Sequence, residues 1–172
     1  ETVENWNSHS IDAIIQLAGH EPLLAAHLNY IDDRHLELLA NSNITVVYCP
    51  RASAYFGHEG HRWKEMLEAG VNVALGTDSL LCLDSPDRLC VIDEMRSLYL
   101  NQNADPQTLF AMATVNGAIG LGIDPTFVTM SIGPTSGLIA FDVGGDQPLL
   151  DILESTEMPS WVIQPSSMAC KP

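Results

Sequence analysis

Over the first two thirds of the chain, the apolar positions switch repeatedly between a helical and a strand-like spacing. Ile11 to Ala18 has helical spacing, with Ser10 placed to cap its start and Gly19 to end it. Pro22 to Leu28 is a short apolar run of the kind a buried strand carries. Asp32 and Asp33 open a second helix, whose apolar side is Leu36, Leu38 and Leu39 and which runs to Asn41. Ile44 to Tyr48 is β-branched and apolar, as in a strand covered on both faces, and Pro50 stops it. His61 to Ala69 is helical again, with Gly70 as its stop. Val71 to Leu75 is a third strand, ending in Gly76-Thr77-Asp78-Ser79. After a loop through Pro86, helices are predicted from about Asp87 to Leu100 and from Pro106 to about Gly120. Strands alternating with helices in this way predict a parallel sheet with helices outside it.

After Gly122 the pattern changes. Pro125, Gly133, Pro134, Gly137, Gly144, Gly145 and Pro148 punctuate short apolar runs such as Leu138-Ile139-Ala140-Phe141, which reads as β-hairpin or sandwich material. The expected division is therefore 1–122, of α/β class, and 123–172, of β character, with Gln164 to Pro172 fraying. No internal repeat or low-complexity segment interrupts either part.

Composition narrows the function classes. The chain has 172 residues, 46% hydrophobic and 17% charged, which is globular rather than disordered. That length suffices for one core but not for a complete eight-stranded α/β barrel, which needs about 250 residues. With 22 acidic residues against 7 basic ones, the net charge is −15, which disfavours nucleic acid or an anionic membrane as partner and favours a small molecule. No apolar run approaches the roughly 18 residues of a membrane span, and the first residues have no signal-peptide character. Cys49, Cys82, Cys90 and Cys170 show no paired spacing and are expected as reduced thiols in a cytoplasmic protein. A start at Glu1 without Met is expected to continue a longer chain upstream.

In a parallel α/β barrel, functional groups gather where the strands end and the following loops converge. Three polar features fall at such ends. His27 closes Leu23-Leu24-Ala25-Ala26, Arg51 and Ser53 follow Val46 to Pro50, and Asp78 closes Val73 to Thr77. A carboxylate at the mouth of an apolar strand is poorly placed for solvation and well placed for a cation, and Asp ligates divalent metals directly. Taken alone, Asp78 suits metal ligation and turn capping about equally, and a lone His27 reads more readily as a structural histidine. His58 and His61 flank Glu59-Gly60 and read as a solvated loop; His9, His20 and His35 read as surface or capping residues. Tyr55 and Phe56 read as loop packing, and Asp93 and Glu94 as a solvated helix face.

Four ordered segments together resemble the amidohydrolase superfamily, in its branch of nucleobase and aminotriazine deaminases and chlorohydrolases. Ala26 to Asp33 is similar to the sixth-strand histidine segment, and Val47 to Ser53 to the seventh-strand "hCPRSN" segment. Leu67 to Ser79 is similar to the eighth-strand segment with its aspartate, and Ala113-Thr114-Val115-Asn116-Gly117-Ala118 to the "ATxNGA" helix after it. Each is weak alone; their order and spacing, running to about residue 155, are specific. Glu1-Thr2 would end the fifth-strand "HxAET" motif, with its histidine and the first-strand "HxH" pair upstream. The departures are Tyr48 for a common His, Ala52-Ser53 for "SN", and Ser136-Gly137 for the Ala-Asp of "GxxADLVVFD". The changes on the seventh strand touch substrate contacts and leave the aspartate alone.

The resemblance implies the second part of a metal-dependent (β/α)8 barrel, followed by part of a small flanking β-domain. It implies one divalent metal, Zn²⁺ or Fe²⁺, with Asp78 as ligand and proton acceptor. His27 would polarise the attacking water or the substrate, and Glu1 would protonate a ring nitrogen and serve the leaving amine. The loop from Arg51 to His58, with Arg51, Ser53 and His58, would line the pocket of a small heterocyclic substrate of aminopurine type. The 172 residues alone are expected to lack most metal ligands and to be inactive, and homo-oligomerisation is left open. Two other readings stand beside deamination. One is an aminotriazine chlorohydrolase or cyclic-amide hydrolase, with the same metal chemistry and another leaving group. The other is a non-catalytic half-barrel that serves as an assembly or binding module.

Overall fold

Three strands form the expected parallel sheet, β1 (Leu23–Ala26), β2 (Ile44–Tyr48) and β3 (Asn72–Leu75), in that spatial order. The structure is a computed structural model that describes residues 3–18, 21–83 and 88–165. Register places Ala25, Val46 and Val73 in one row across the sheet, and all three are buried. Neighbouring rows point to opposite faces. The Ala25 row faces α4 (Trp63–Glu68), α5 (Val91–Gln102) and α6 (Pro106–Ala113), which contribute Met66, Met95, Leu98, Leu109 and Met112 to a single apolar cluster. The next row, Leu24, Thr45 and Asn72, faces α7 (Val115–Gly120). There Gly120 approaches so closely that a Cβ would stand 2.7 Å from Thr45 Cγ2. Asn116 ties α7 to the sheet by donating to the Val73 carbonyl at 2.9 Å and accepting from Asn72.

Ile44–Tyr48 is the strand that the β-branched run predicts, buried at four of its five positions. β1 is shorter than the predicted run and only partly covered, with Leu23 and Leu24 well exposed, because among the described residues it pairs on one side only. The first helix, α1 (Val3–Ala18), begins well before Ser10, so Ser10 lies inside it instead of capping it. Tertiary packing of Ile11, Ile14, Ile15 and Ala18 outweighs the mild helix-interior cost of a serine. Gly19 falls outside the described residues.

α2 (Asp33–Ala40) starts as read, with Asp32 as N-cap accepting from the His35 backbone N–H at 2.8 Å. His35 itself is buried, not on the surface: it carries the third position of the cap while packed near Asp12 of α1. Pro50 ends β2 but also opens α3 (Pro50–Tyr55), because proline at the first helical turn lacks only an N–H that would have no partner there. The helix predicted over 106–120 is two. Thr114 breaks it, its hydroxyl donating back to the Phe110 carbonyl at 2.6 Å, and the turn sends α7 under the sheet.

Asp93 and Glu94 are not on a solvated face. Glu94 is fully buried and Asp93 nearly so, in a cluster with Arg51, Arg88 and Arg96. Burial raises the pKa of the Asp93 carboxyl, but hydrogen bonds from Arg88 and Arg96 outweigh it and hold the group below the usual range. Downstream, β4 (Leu138–Ala140) and β5 (Ser160–Ile163) pair antiparallel in a separate two-stranded sheet. Between them runs a helix that the Gly- and Pro-rich pattern hides, α8 (Pro148–Glu154), again opened by a proline. Its Leu153 enters the main core, and Arg96 of α5 fastens its end through the Ile152 and Glu157 carbonyls.

Candidate active site

The ladder of the parallel sheet runs slightly beyond the strands, since His27 N–H donates to Val47 O and Gly76 N–H to Tyr48 O, both at 2.9 Å. It then stops abruptly at both edges. His27 and Asp78 adopt left-handed backbone conformations, φ 66° and 57°, which few residues other than glycine visit. Such conformations cost on the order of 1–3 kcal/mol each and cluster at functional sites. Both side chains thereby turn to the same end of the sheet, where His27 Nε2 stands 3.6 Å from Asp78 Oδ2. Gly76, two residues before Asp78, packs so tightly that a Cβ would meet Val47 Cγ1 at 2.6 Å. The close fit of the strand end fixes where the aspartate emerges.

These two groups open onto a cavity of about 320 Å³, lined also by Asn29, Ala52, Ser53, Phe56 and His58. Ser53 Oγ donates to Asn29 Oδ1 at 3.1 Å, and a 2.6 Å hydrogen bond joins the Tyr30 hydroxyl to His58 Nδ1, so the loops after β1 and β2 are tied together. The lining combines these polar side chains with two apolar groups, Ala52 and the exposed ring of Phe56. Cys49 and Cys82 are buried together with Ala52; burial pushes the Cys49 thiol up to about 12, with the nearby Asp78 carboxylate adding to it, so it is a neutral packing group.

Of the residues expected at the site, His27, Ser53, His58 and Asp78 come together. Arg51 does not. Its side chain is buried, its guanidinium 3.7 Å from Glu94 Oε1 and its backbone N–H donating to Glu94 Oε2 at 3.0 Å. An arginine at the first turn of α3 finds a fully buried carboxylate on α5, and that pairing takes it out of the pocket. Glu1 lies outside the described residues. Asn29 and Phe56 line the cavity without having been singled out for it; Asn29 stands two residues after His27 in a segment already recognised.

His61 departs most from its reading as a solvated loop residue. Its ring stacks on Tyr48 at 3.8 Å between centroids, and Nε2 meets the His27 carbonyl at 2.6 Å. Burial lowers its pKa from 6.5 to about 4, opposed in part by the bond to His27. The linkage has a definite sign. Above pH 6.5 the ring is neutral folded and unfolded; between 6.5 and about 4 only the unfolded chain takes up the proton, so stability falls. The expected loss across that window is about 3 kcal/mol. His61→Phe is expected to flatten this stretch of the stability–pH curve, as measured by urea unfolding at stepped pH.

Parallel strands, helices on the outer face and a polar cleft at the strands' ends are the layout of one part of a (β/α)8-barrel protein. The chain belongs to the amidohydrolase family, whose model matches residues 8–165. It is 34% identical over 130 residues to a 5-methylthioadenosine/S-adenosylhomocysteine deaminase of Moorella thermoacetica, covering 71% of this chain and 30% of that protein. Solved structures of deaminases share its fold. An aminofutalosine deaminase of Helicobacter pylori in complex with methylthio-coformycin superposes with TM-score 0.70 at 21% identity, covering 86% of this chain and 38% of that one. A zinc-bound adenosine deaminase of Xanthomonas campestris gives 0.69 at 22%, covering 86% and 36%. The chain thus spans about a third of the length of the relatives it matches. Among the described residues no helix is long and apolar enough to cross a membrane.

Proposed function

We propose that, in the protein at its natural length, this chain supplies the later strands of an active site that hydrolyses a carbon–nitrogen bond outside peptides. The substrate is an adenine-type nucleoside, released as the hydroxylated base with ammonia. The observation that carries the reading is the convergence of His27 and Asp78, both in left-handed backbone, on one cavity that Ala52 and Phe56 also line. Family membership and the likeness to methylthioadenosine deaminases support it.

A site of this family needs a divalent metal, and the donors here suit one. Asp78 offers an exposed carboxylate oxygen at a rigid strand end, and oxygen and imidazole nitrogen are the donors that zinc and ferrous iron accept. Asp78 would hold the metal. Among the described residues no group of three His, Cys, Asp or Glu side chains could hold a metal ion, so Asp78 would be one ligand of a larger set. When bound, a divalent cation lowers the pKa of water from 15.7 to about 7. Asp78 accepts a proton from the attacking water as its oxygen bonds to the ring carbon. His27, 3.6 Å away, hydrogen-bonds that oxygen and holds it in line. Glu1 protonates the ring nitrogen; the proton held by Asp78 passes to the departing amine as the C–N bond breaks, and the hydroxyl proton returns to Glu1 as the C=O bond forms. The base packs on Phe56 and Ala52, with Ser53, Asn29 and His58 offering polar contacts at its rim.

The test is incubation of the natural-length protein with methylthioadenosine, S-adenosylhomocysteine, adenosine and a chlorotriazine, assaying ammonia and chloride. Ammonia from the adenine nucleosides is the expected result. Chloride alone, or neither product, overturns the reading.

A further inference from the structure

We propose that His61 is a positioning residue of this site, which sets the His27 imidazole by clamping the His27 backbone carbonyl. His27 and Leu28 are consecutive non-glycine residues with positive φ, 66° and 51°. Two such residues together do not persist unless the surroundings over-determine them. The surroundings do so at both backbone groups of His27. Its N–H donates to Val47 O at 2.9 Å, and its carbonyl meets His61 Nε2 at 2.6 Å.

A carbonyl oxygen only accepts, so His61 carries its proton on Nε2. Nδ1 is then a lone pair, and it is buried without a hydrogen-bond partner among the described residues. A second proton there would be a buried donor with nothing to meet, so the ring stays a neutral, single-tautomer donor. Tyr48 fixes the ring's plane from below, stacked at 17°. Tyr48 ends β2, and its own carbonyl receives the Gly76 N–H from the strand that delivers Asp78. One residue thus holds the loop after β2 to the turn after β1 at the point where His27 leaves the sheet.

The catalytic consequence rests on the deamination reading; the backbone clamp does not, and the experiment separates them. Crystal structures and kinetics of the natural-length protein would be compared for wild type, His61→Phe and His61→Gln. Phenylalanine keeps the stack on Tyr48 and removes the donor; glutamine offers an amide N–H near the Nε2 position. In His61→Phe, His27 is expected to leave the left-handed region and kcat with methylthioadenosine to fall about 10- to 100-fold, with KM within about threefold. His61→Gln is expected to keep the backbone of His27 and to return kcat to within about fivefold of wild type. A His27 backbone unmoved in His61→Phe overturns the clamp. Equal losses in both variants that merely follow the folded fraction overturn the positioning role. If wild type turns over no nucleoside, deamination fails, and the His27 backbone alone decides the clamp. If His61→Phe does not fold, ¹⁵N spectra of histidine-labelled wild type decide: the neutral Nε2–H tautomer at pH 7 supports the clamp, and the Nδ1–H tautomer overturns it.

Discussion

Asp78→Asn in the natural-length protein is expected to lower kcat/KM for ammonia release by about 10³- to 10⁴-fold while leaving the fold intact. Two physical facts make asparagine the informative replacement. Position 78 has φ 57°, and asparagine is among the few non-glycine residues that occupy this region readily, so the backbone has no reason to move. The amide also matches the carboxylate in shape but cannot take a proton from water. Alanine at this position would mix loss of chemistry with backbone strain. Ammonia release measures the first effect, and thermal unfolding checks the second. The unfolding free energy is expected to stay within about 0.5 kcal/mol, the usual range for a change outside the core. Undiminished turnover with the fold retained would remove Asp78 from the mechanism.

The second large effect is on stability. Glu94→Ala is expected to cost about 3–5 kcal/mol, the range for breaking a buried pair by deleting one partner. Glu94 is fully buried on α5; its Oε2 accepts the Arg51 N–H at 3.0 Å and Oε1 lies 3.7 Å from the Arg51 guanidinium. The carboxylate therefore joins the first turn of α3 to α5, and α3 carries Ala52 and Ser53 into the cavity. Glu94→Gln, which still accepts the N–H but carries no charge, is expected to cost less, about 1–3 kcal/mol. Urea unfolding of the two variants gives both numbers. An alanine variant within about 0.5 kcal/mol of wild type would show the pair to be without structural weight.

The sequence showed best those features that are decided locally. Ile44–Tyr48 was legible to the residue because a β-branched apolar run between turn signals has one stable use in an α/β chain. Asp32 was legible as a helix start because its side chain meets an N–H three residues on. Pro50 and Pro148 misled because proline looks alike whether it ends one element or opens the next, and here both open helices.

For the site, the strand ends pointed to His27, Ser53 and Asp78, because that is where barrel loops converge; His58, read from its own neighbours, was a solvated loop residue, and only the family resemblance put it in the pocket. Arg51 and Glu94 could not be placed, because their pairing spans 43 positions and charged residues read as solvated until a partner is found. His61 was hidden for the same reason: its partner is a backbone carbonyl 34 positions away, exposed to it only because His27 turns left-handed.

The most direct measurement is ammonia release from methylthioadenosine by the natural-length protein before and after complete removal of divalent metal, with metal content determined at each step. Turnover is expected to vanish with the metal and to return when zinc or ferrous iron is restored, in wild type but not in Asp78→Asn. Full turnover by a metal-free preparation would contradict the assignment of Asp78 to a metal-dependent site.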